Sequence, residues 1–228
     1  MKNRIKHVFF DLDHTLWDFD KNSDLAFMKI FKLFRIDLKL SDFLEVYKPI
    51  NSKYWEKYRN DEVSKSKLRY GRLKDTFDLL NYHITDEEIN RISESYIESL
   101  ADHNYLIPNS KSILDYLFSK YELHIITNGF EEVQKQKIFS SDLQPYFSKI
   151  ITSESVGVKK PNPIIFNEAL KRADALACES LMIGDNIEAD VLGALESGFS
   201  AILFNYHKIP PPNGIKTIDN LIELKVLL

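Results

Sequence analysis

Short apolar runs alternate with amphipathic segments along most of the chain, and the length of each run indicates the element it forms. Residues 5–12 are mostly apolar and too few for a typical helix, which predicts a buried strand. Similar runs at 123–126, 149–152, 181–183 and 200–204 are separated by segments with helical spacing. This alternation predicts an α/β fold with a doubly wound parallel sheet.

A long interval after the first strand has a different pattern. Between about residues 19 and 104 there is a single glycine, Gly71, and the apolar residues recur at helical spacing. Thr85 and Glu88 fit a capping box at the start of one helix. We therefore predict an inserted all-helical domain of about four helices over residues 18–104, with residues 1–17 and 105–228 forming the α/β core.

Composition narrows the range of partners. The formal net charge of the 228 residues is −4 and the sequence pI is about 5.9, so no basic surface for a nucleic acid polymer is expected. No apolar stretch approaches the length of a signal peptide or a membrane span, which favours a cytoplasmic protein. The single cysteine, Cys178, suits a reducing compartment, and we expect it to be a small buried residue. The run Pro210-Pro211-Pro212 predicts a stiff local turn.

Polar residues follow the predicted strands at the points where they end. In an open parallel sheet, ligands bind outside the carboxyl ends of the strands, so these residues are expected to meet at one edge. The first strand is followed by Asp11, Asp13 and Thr15, the second by Thr127 and Asn128, the third by Lys159 and Lys160, and the fourth by Asp185 and Asp190.

The residue types at this edge suit phosphoryl transfer. Crowded carboxylates repel one another unless a cation joins them, and Mg²⁺ pairs with carboxylates and with phosphate. One carboxylate can attack phosphorus, while an ammonium group neutralises phosphate oxygens as charge develops. The Thr127 hydroxyl and amides near Asn128 can donate to phosphate. Each feature alone is weak, but their order at successive strand ends points to a magnesium-dependent phosphatase acting on a small phosphorylated metabolite.

The same residues resemble the four motifs of the haloacid dehalogenase superfamily of phosphohydrolases. Asp11-Leu12-Asp13-His14-Thr15 is similar to the first motif and Thr127 to the second. Lys160, directly before Pro161, matches the third, and residues 184–190 resemble the fourth. The resemblance covers the whole chain, and the helical insertion resembles the small cap domain of that family. His14 stands where the family often has Gly or Asp.

The resemblance implies a role for each matched residue. Asp11 would be the nucleophile and a Mg²⁺ ligand. Asp13 would protonate the leaving oxygen and then activate water, with its main-chain carbonyl on the metal. Asp185 would be a direct metal ligand. The presence of Asp13 also favours phosphate chemistry over dehalogenation, which needs no acid for an alcohol leaving group.

The remaining motif residues would hold the phosphate or support the site. Thr127, Asn128 and Lys160 would bind the phosphoryl group, whereas Asp190 and Asn186 would support the metal shell or Lys160. Lys159 is a rival for Lys160 but lies one residue off the motif. The remaining histidines show no metal-ligand spacing, so we expect surface or core roles for them.

The branch of the family and the substrate are further expectations. The strings Thr15-Leu16-Trp17-Asp18-Phe19 and 126–130, with Gln134 following, resemble the house-cleaning pyrimidine 5′-nucleotidases. A cap or hinge aromatic would then stack on the nucleobase, with Trp17, Tyr54 and Trp55 as candidates. Open alternatives are a phosphatase of phosphoglycolate or of a sugar phosphate, a phosphomutase, and a catalytically silent binding protein. No obligate protein partner is evident from the sequence.

Overall fold

A computed structural model describes residues 4–210 and 213–228, and its chain divides into two compact units. Met1–Phe19 together with Asn104–Leu228 form one, here called the sheet unit, and Asp20–His103 form the other, the helical unit. Pro211 and Pro212 of the predicted stiff turn lie outside the described residues. Across the two described ranges, no helix is both long and apolar enough to cross a membrane.

The sheet unit is built on a parallel sheet, which confirms the predicted fold class. Within the described residues the sheet has six strands in the order β3-β2-β1-β4-β5-β6, and all pairings are parallel. The first strand is central, as expected for a doubly wound sheet. The strands are β1 (His7–Phe10), β2 (Glu122–Thr127), β3 (Lys149–Thr152), β4 (Ser180–Gly184), β5 (Ser200–Phe204) and β6 (Thr217–Ile218).

The register of the sheet places the ends of the central strands level with one another. Phe10 at the end of β1 pairs with Ile125 of β2 on one side and with Ile183 of β4 on the other. The next main-chain amide, that of Asp11, donates to the carbonyl of Ile183 at 2.9 Å. The residues that follow β1, β2 and β4 therefore emerge together at one edge.

Helices flank this sheet, and one of them differs from the sequence prediction. The helical spacing between the apolar runs at 181–183 and 200–204 predicts an ordinary helix, whereas the structure has a π-helix over Ile187–Leu192 followed by a short α-helix. Gly198 adopts a left-handed backbone with φ of 84°, as expected just past a helix end. The α-helices of the sheet unit that follow the insertion are α5 (Ser110–Phe118), α6 (Glu131–Ser140), α7 (Ser153–Val156), α8 (Pro163–Ala173), α9 (Gly193–Glu196) and α10 (Leu224–Leu227).

The helical unit contains the predicted helices. The capping box of Thr85 and Glu88 is present at the start of its last α-helix, with the Glu88 amide donating to Thr85 Oγ1 at 3.2 Å. Aromatic rings fill the interior, where Phe27 lies 4.4 Å from the Tyr96 ring and 5.0 Å from the Phe43 ring. The helices are α1 (Phe19–Phe34), whose first residue belongs to the sheet unit, α2 (Leu40–Arg59), α3 (Lys65–Leu79) and α4 (Asp86–Ser99).

The prediction for the single cysteine was wrong. Cys178 is exposed, in a 3₁₀ turn directly before β4, rather than buried. A turn that leads into a strand lies at the protein surface because its backbone groups need water or a local partner.

Candidate active site

Lys160 is the most constrained side chain at the edge where the strands end. It is 1% exposed, and its ammonium lies 2.6 Å from Asp11 Oδ1 and 2.6 Å from Asp190 Oδ1. It also donates to the carbonyl oxygen of Ile126 at 2.6 Å. The neighbouring Lys159 is only half-buried. The structure therefore distinguishes the two lysines: Lys160 is the one held against the carboxylates.

The pKa values of Lys160 and of the carboxylates around it reflect their burial and their closeness to one another. Burial by itself lowers the pKa of Lys160, but the Asp11 and Asp190 carboxylates outweigh it and raise the pKa to about 12. Burial raises the pKa of Asp11 to about 8, and the charges of Asp190 and Asp185 add to the rise while Lys160 opposes it. Burial likewise raises the pKa of Asp190. One ammonium thus does not neutralise the carboxylates that surround it.

These carboxylates can accommodate a hard cation. Asp11, Asp185 and Asp190 each present an oxygen, and the three oxygens lie within 4.8 Å of one another. Asp185 Oδ1 also accepts a hydrogen bond from the Thr15 hydroxyl at 3.2 Å. Oxygen ligands in a buried anionic cluster are what Mg²⁺ prefers, so the residues present fit the ion that the sequence predicts.

Asp13 lies in a different environment from Asp11, although only one residue separates them. Its Oδ1 lies 2.6 Å from the buried ammonium of Lys137, and its Oδ2 accepts from Gln134 Nε2 at 3.0 Å. Gln134 Nε2 also contacts Thr127 Oγ1 at 2.8 Å. Both oxygens of Asp13 are therefore held by side chains from α6, and the same helix contacts Thr127.

Aromatic rings complete the surroundings of Lys137. Its ammonium lies 4.3 Å from the centre of the Trp17 ring and 5.2 Å from that of Phe19. Trp17 is fully buried, so it supports Lys137 through its ring face and has no accessible face for a nucleobase. The expectation that Trp17 stacks on a base was therefore wrong.

The side chains of two asparagines form hydrogen bonds to the main chain of the protein. Asn128 Oδ1 accepts from the Lys160 amide at 2.8 Å, and its Nδ2 donates to the Lys160 carbonyl at 2.9 Å. Its side chain thus fixes the Lys160 main chain, and the Asn128 main-chain amide is the donor that this side chain leaves for phosphate. Asn186 Oδ1 accepts from the Ala189 amide at 2.8 Å and starts the π-helix. That helix places Asp190, whose Oδ2 accepts from the Asn186 amide at 3.0 Å.

Glycines at two strand ends allow the close approach of these side chains. A Cβ atom at Gly184 would lie 2.3 Å from Asp190 Oδ2, and one at Gly129 would lie 2.4 Å from Gln134 Nε2. Real Cβ atoms do not approach heavy atoms so closely, so any side chain at either position would displace its neighbour. The two glycines are steric requirements of the site.

Three further side chains of this edge, those of Lys137, Gln134 and His207, were not predicted to be site residues. Gln134 and Lys137 are three residues apart on α6, directly after β2, so their spacing places them on one helix face, and this signal was available in the sequence. His207 follows β5, and its Nε2 lies 3.1 Å from Asp185 Oδ2. No spacing in the sequence links His207 to the motifs.

The other aromatic candidates lie in the helical unit and differ in exposure. Tyr54 is buried with its ring against Gly71, and its hydroxyl donates to Asp75 at 2.8 Å. Trp55 is half-buried and meets Tyr58 edge to face at 5.6 Å. Trp55 therefore remains the candidate with accessible ring surface.

Comparison with known proteins places this constellation in a family. Residues 8–204 match the haloacid dehalogenase-like hydrolases. Over 225 residues the chain is 32% identical to the pyrimidine 5′-nucleotidase YjjG of Escherichia coli, covering 97% of this chain and 96% of that protein. It is 30% identical to a glyceraldehyde 3-phosphate phosphatase of Methanothermobacter thermautotrophicus, covering 98% of this chain and all of that protein. The crystal structure of the HAD-hydrolase YfnB of Bacillus subtilis, bound to magnesium, superposes with a TM-score of 0.90 at 26% identity, covering 99% of both chains.

The chain belongs to the haloacid dehalogenase-like hydrolase family. The relatives that share 30% identity or more include a nucleotidase and phosphatases, and the chain is a phosphoric monoester hydrolase. The prediction of the family and of the type of enzyme is confirmed.

Proposed function

We propose that this hydrolase is a Mg²⁺-dependent 5′-nucleotidase for pyrimidine nucleoside monophosphates, and that it works through an aspartyl-phosphate on Asp11. The observation that carries the mechanism is the contrast between Asp11 and Asp13. Asp11 faces the carboxylate cluster and Lys160, whereas Asp13 is clamped by Lys137 and Gln134. Two carboxylates in such different environments are suited to different tasks.

The cation would be held by the Asp11 and Asp185 carboxylates and the main-chain carbonyl of Asp13. When bound, Mg²⁺ neutralises carboxylate and phosphate charge and polarises the phosphoryl group toward attack. Lys160 offsets part of the negative charge of Asp11 and Asp190 and is placed to neutralise phosphate oxygens as charge develops. We assign phosphate donors to the Thr127 hydroxyl and the Asn128 main-chain amide, since the Asn128 side chain is engaged with Lys160.

In the first step a carboxylate oxygen of Asp11 attacks phosphorus, and the bond to the leaving oxygen breaks. Asp13 gives its proton to that oxygen, so the product leaves as an alcohol. Lys137, 2.6 Å from Asp13, stabilises the carboxylate that this transfer produces, while Gln134 keeps its orientation.

In the second step Asp13 accepts a proton from water, and the water oxygen bonds to phosphorus. The bond between phosphorus and Asp11 breaks, which releases inorganic phosphate and restores the Asp11 carboxylate. Asp13 thereby regains the proton it gave up, so the cycle closes without another reactant.

The nucleotide part of the proposal rests on similarity to YjjG and on the resemblance of residues 15–19 and 126–130 to that branch. We propose that the helical unit acts as the cap and selects the leaving group. A second candidate, a phosphatase of a small sugar phosphate, is favoured by the similarity to a glyceraldehyde 3-phosphate phosphatase.

A substrate panel separates these functions. Purified protein is assayed with dUMP, dTMP, phosphoglycolate, glyceraldehyde 3-phosphate and hexose phosphates, first after EDTA treatment and then with added Mg²⁺. We expect activity to depend on the metal and kcat/KM to be highest for a pyrimidine nucleotide. Full activity after EDTA treatment would overturn the metal mechanism, whereas a preference for glyceraldehyde 3-phosphate would overturn the nucleotidase assignment only.

A further inference from the structure

A second group of metal-ligand side chains lies next to the carboxylate cluster. His14, Asp185 and His207 each present a ligand atom, and these atoms lie within 4.8 Å of one another. Asp185 Oδ2 lies 3.1 Å from His207 Nε2 and 4.0 Å from His14 Nδ1. The other oxygen of Asp185 accepts from Thr15, so the two oxygens of this carboxylate face different surroundings.

The spacing of these atoms suits a transition metal. Zinc binds nitrogen at about 2.0–2.1 Å and carboxylate oxygen at about 2.0–2.2 Å, so tetrahedral ligand atoms lie about 3.3 Å apart. The two measured separations from Asp185 Oδ2 lie on either side of that value. Two imidazoles and one carboxylate favour zinc and similar ions over Mg²⁺, whose ligands are oxygens. Three protein ligands also leave one tetrahedral position for water or a phosphate oxygen.

The two histidines reach this position from separate loops. His14 follows β1 in a left-handed conformation with φ of 61°, which histidine tolerates better than most residues with a side chain. The centre of its ring lies 5.2 Å from that of Phe19 and 4.8 Å from that of Tyr206. The His207 side chain is 49% exposed, so it can move the short distance that ligation requires.

The surrounding charge also favours a cation. Four carboxylates, those of Asp11, Asp13, Asp185 and Asp190, are gathered around this edge, and two buried ammonium groups, those of Lys137 and Lys160, pair with three of them. The excess is negative, and His14 and His207 border Asp185, which neither lysine pairs with in the described residues.

We propose that His14, Asp185 and His207 form a second metal site, which takes an imidazole-preferring ion such as Zn²⁺. Because Asp185 is also a proposed Mg²⁺ ligand, Zn²⁺ held there competes for the charge of this carboxylate and, as a nearby dication, weakens the binding of Mg²⁺. Zn²⁺ at this site is therefore an inhibitor of the Mg²⁺-supported enzyme. The inhibition rests on the proposed function, whereas the binding does not.

The binding test measures Zn²⁺ affinity by competition with a chromophoric chelator, at fixed pH and without substrate. His14→Asn keeps a residue that accepts positive φ, and His207→Asn removes the other imidazole. His83→Asn, at an exposed histidine of the helical unit, is the matched control. We expect one Zn²⁺ per chain in wild type and in the control, and affinity reduced about tenfold or more in each of the other two variants.

Asp11→Asn separates this site from the magnesium site, since it removes a carboxylate from the latter only. Zn²⁺ affinity in Asp11→Asn is expected to match that of wild type, although we expect this variant to lose nearly all turnover. Equal Zn²⁺ affinity in wild type, His14→Asn and His207→Asn would overturn the site, as would the absence of Zn²⁺ binding in wild type.

The inhibition test uses active protein with saturating Mg²⁺ and increasing Zn²⁺. We expect the Zn²⁺ concentration for half inhibition, measured relative to each variant's own turnover, to rise about tenfold or more in His14→Asn and His207→Asn. Identical inhibition in all variants would place the inhibitory ion elsewhere and overturn this consequence.

Discussion

Buried cations occur in both units, but only those of the sheet unit lie against carboxylates. In the sheet unit, Lys160 and Lys137 lie 2.6 Å from carboxylates supplied by other parts of the chain. In the helical unit, Arg72 is 1% exposed, and its Nη1 donates to the amide oxygen of Asn51 at 2.9 Å. Its guanidinium also lies 5.2 Å from the Tyr96 ring. Among the described residues, neither Nε nor Nη2 of Arg72 has a hydrogen-bond partner.

This difference indicates what each unit is built to do. Carboxylates around a buried ammonium can exchange protons, bind a cation and attack phosphorus, so the sheet unit carries reactive charge. The aromatic and amide surroundings of Arg72 provide contact area and fixed donors, without a carboxylate that could react. We therefore expect substitutions of the charged residues in the sheet unit to act on turnover and, where they leave carboxylates unpaired, on stability. Substitutions in the helical unit should act on packing or on substrate preference and not on the chemical step.

The largest effect is expected for Asp11→Asn. The substitution keeps the size of the side chain but removes the attacking charge, so kcat should fall by on the order of 10³-fold or more. Substrate binding should persist, because the phosphate donors and Lys160 remain. Steady-state turnover and equilibrium dialysis with dUMP check both statements. If Asp11→Asn kept more than a few per cent of wild-type turnover, Asp11 would not be the nucleophile.

The next prediction compares the two kinds of buried cation directly. Lys160→Met leaves Asp11 and Asp190 unpaired and should lower the free energy of unfolding in EDTA by about 3–5 kcal/mol. Arg72→Met removes a charge that no carboxylate neutralises in the described residues. This substitution should change the free energy of unfolding by less than about 1 kcal/mol.

Urea unfolding of both variants, with and without Mg²⁺, provides the measurement. Mg²⁺ should restore part of the stability of Lys160→Met, because a cation then compensates its carboxylates, and should have no such effect on Arg72→Met. Equal losses in the two variants would remove the contrast between the units.

Loss of Lys137 should affect turnover less than loss of the nucleophile. Lys137→Met frees one oxygen of Asp13 while Gln134 still holds the other, so kcat should fall by about 10²-fold with little change in KM. Lys135→Met, on the exposed face of the same helix, is the matched control and should keep wild-type turnover. A similar loss of turnover in both variants would mean that α6 is disturbed as a whole. It would contradict the proposal that Lys137 acts by holding Asp13.

The sequence was sufficient to predict the fold and many of the residues at the edge of the sheet where the strands end. The runs at 149–152 and 200–204 coincide with β3 and β5, and in both strands the apolar residues toward the carboxyl end are buried. The residues that end β1, β2 and β4 could be assigned to one edge because the carboxyl ends of parallel strands meet there. The two-residue β6 was not predicted, since so short a pairing leaves no periodic signal.

The contacts that determine what each side chain does were less predictable. Asn128 matched a phosphate-binding position, but only the structure places its amide against the Lys160 main chain. Trp17 was a candidate for base stacking because the local sequence does not show that it is buried. Its burial beneath Lys137 depends on a helix more than a hundred residues later in the chain. His207 and His14 come from loops near opposite ends of the chain, and their approach follows from strand order rather than from local spacing.

The smallest expected effect concerns the nucleobase and tests whether the helical unit selects the substrate. Trp55→Ala should raise KM for dUMP by about tenfold, since base stacking on an aromatic side chain contributes about 1–3 kcal/mol. Turnover of p-nitrophenyl phosphate should stay close to wild type, because that ester has no nucleobase. Trp55→Phe, which keeps a ring face, should retain most of the affinity for dUMP.

Tyr54→Ala is the contrasting variant. Tyr54 is buried against Gly71, so its loss should lower the turnover of both substrates and also the free energy of unfolding. Equal losses on both substrates in Trp55→Ala would mean that Trp55 packs the helical unit, and the reason for expecting base stacking there would be gone.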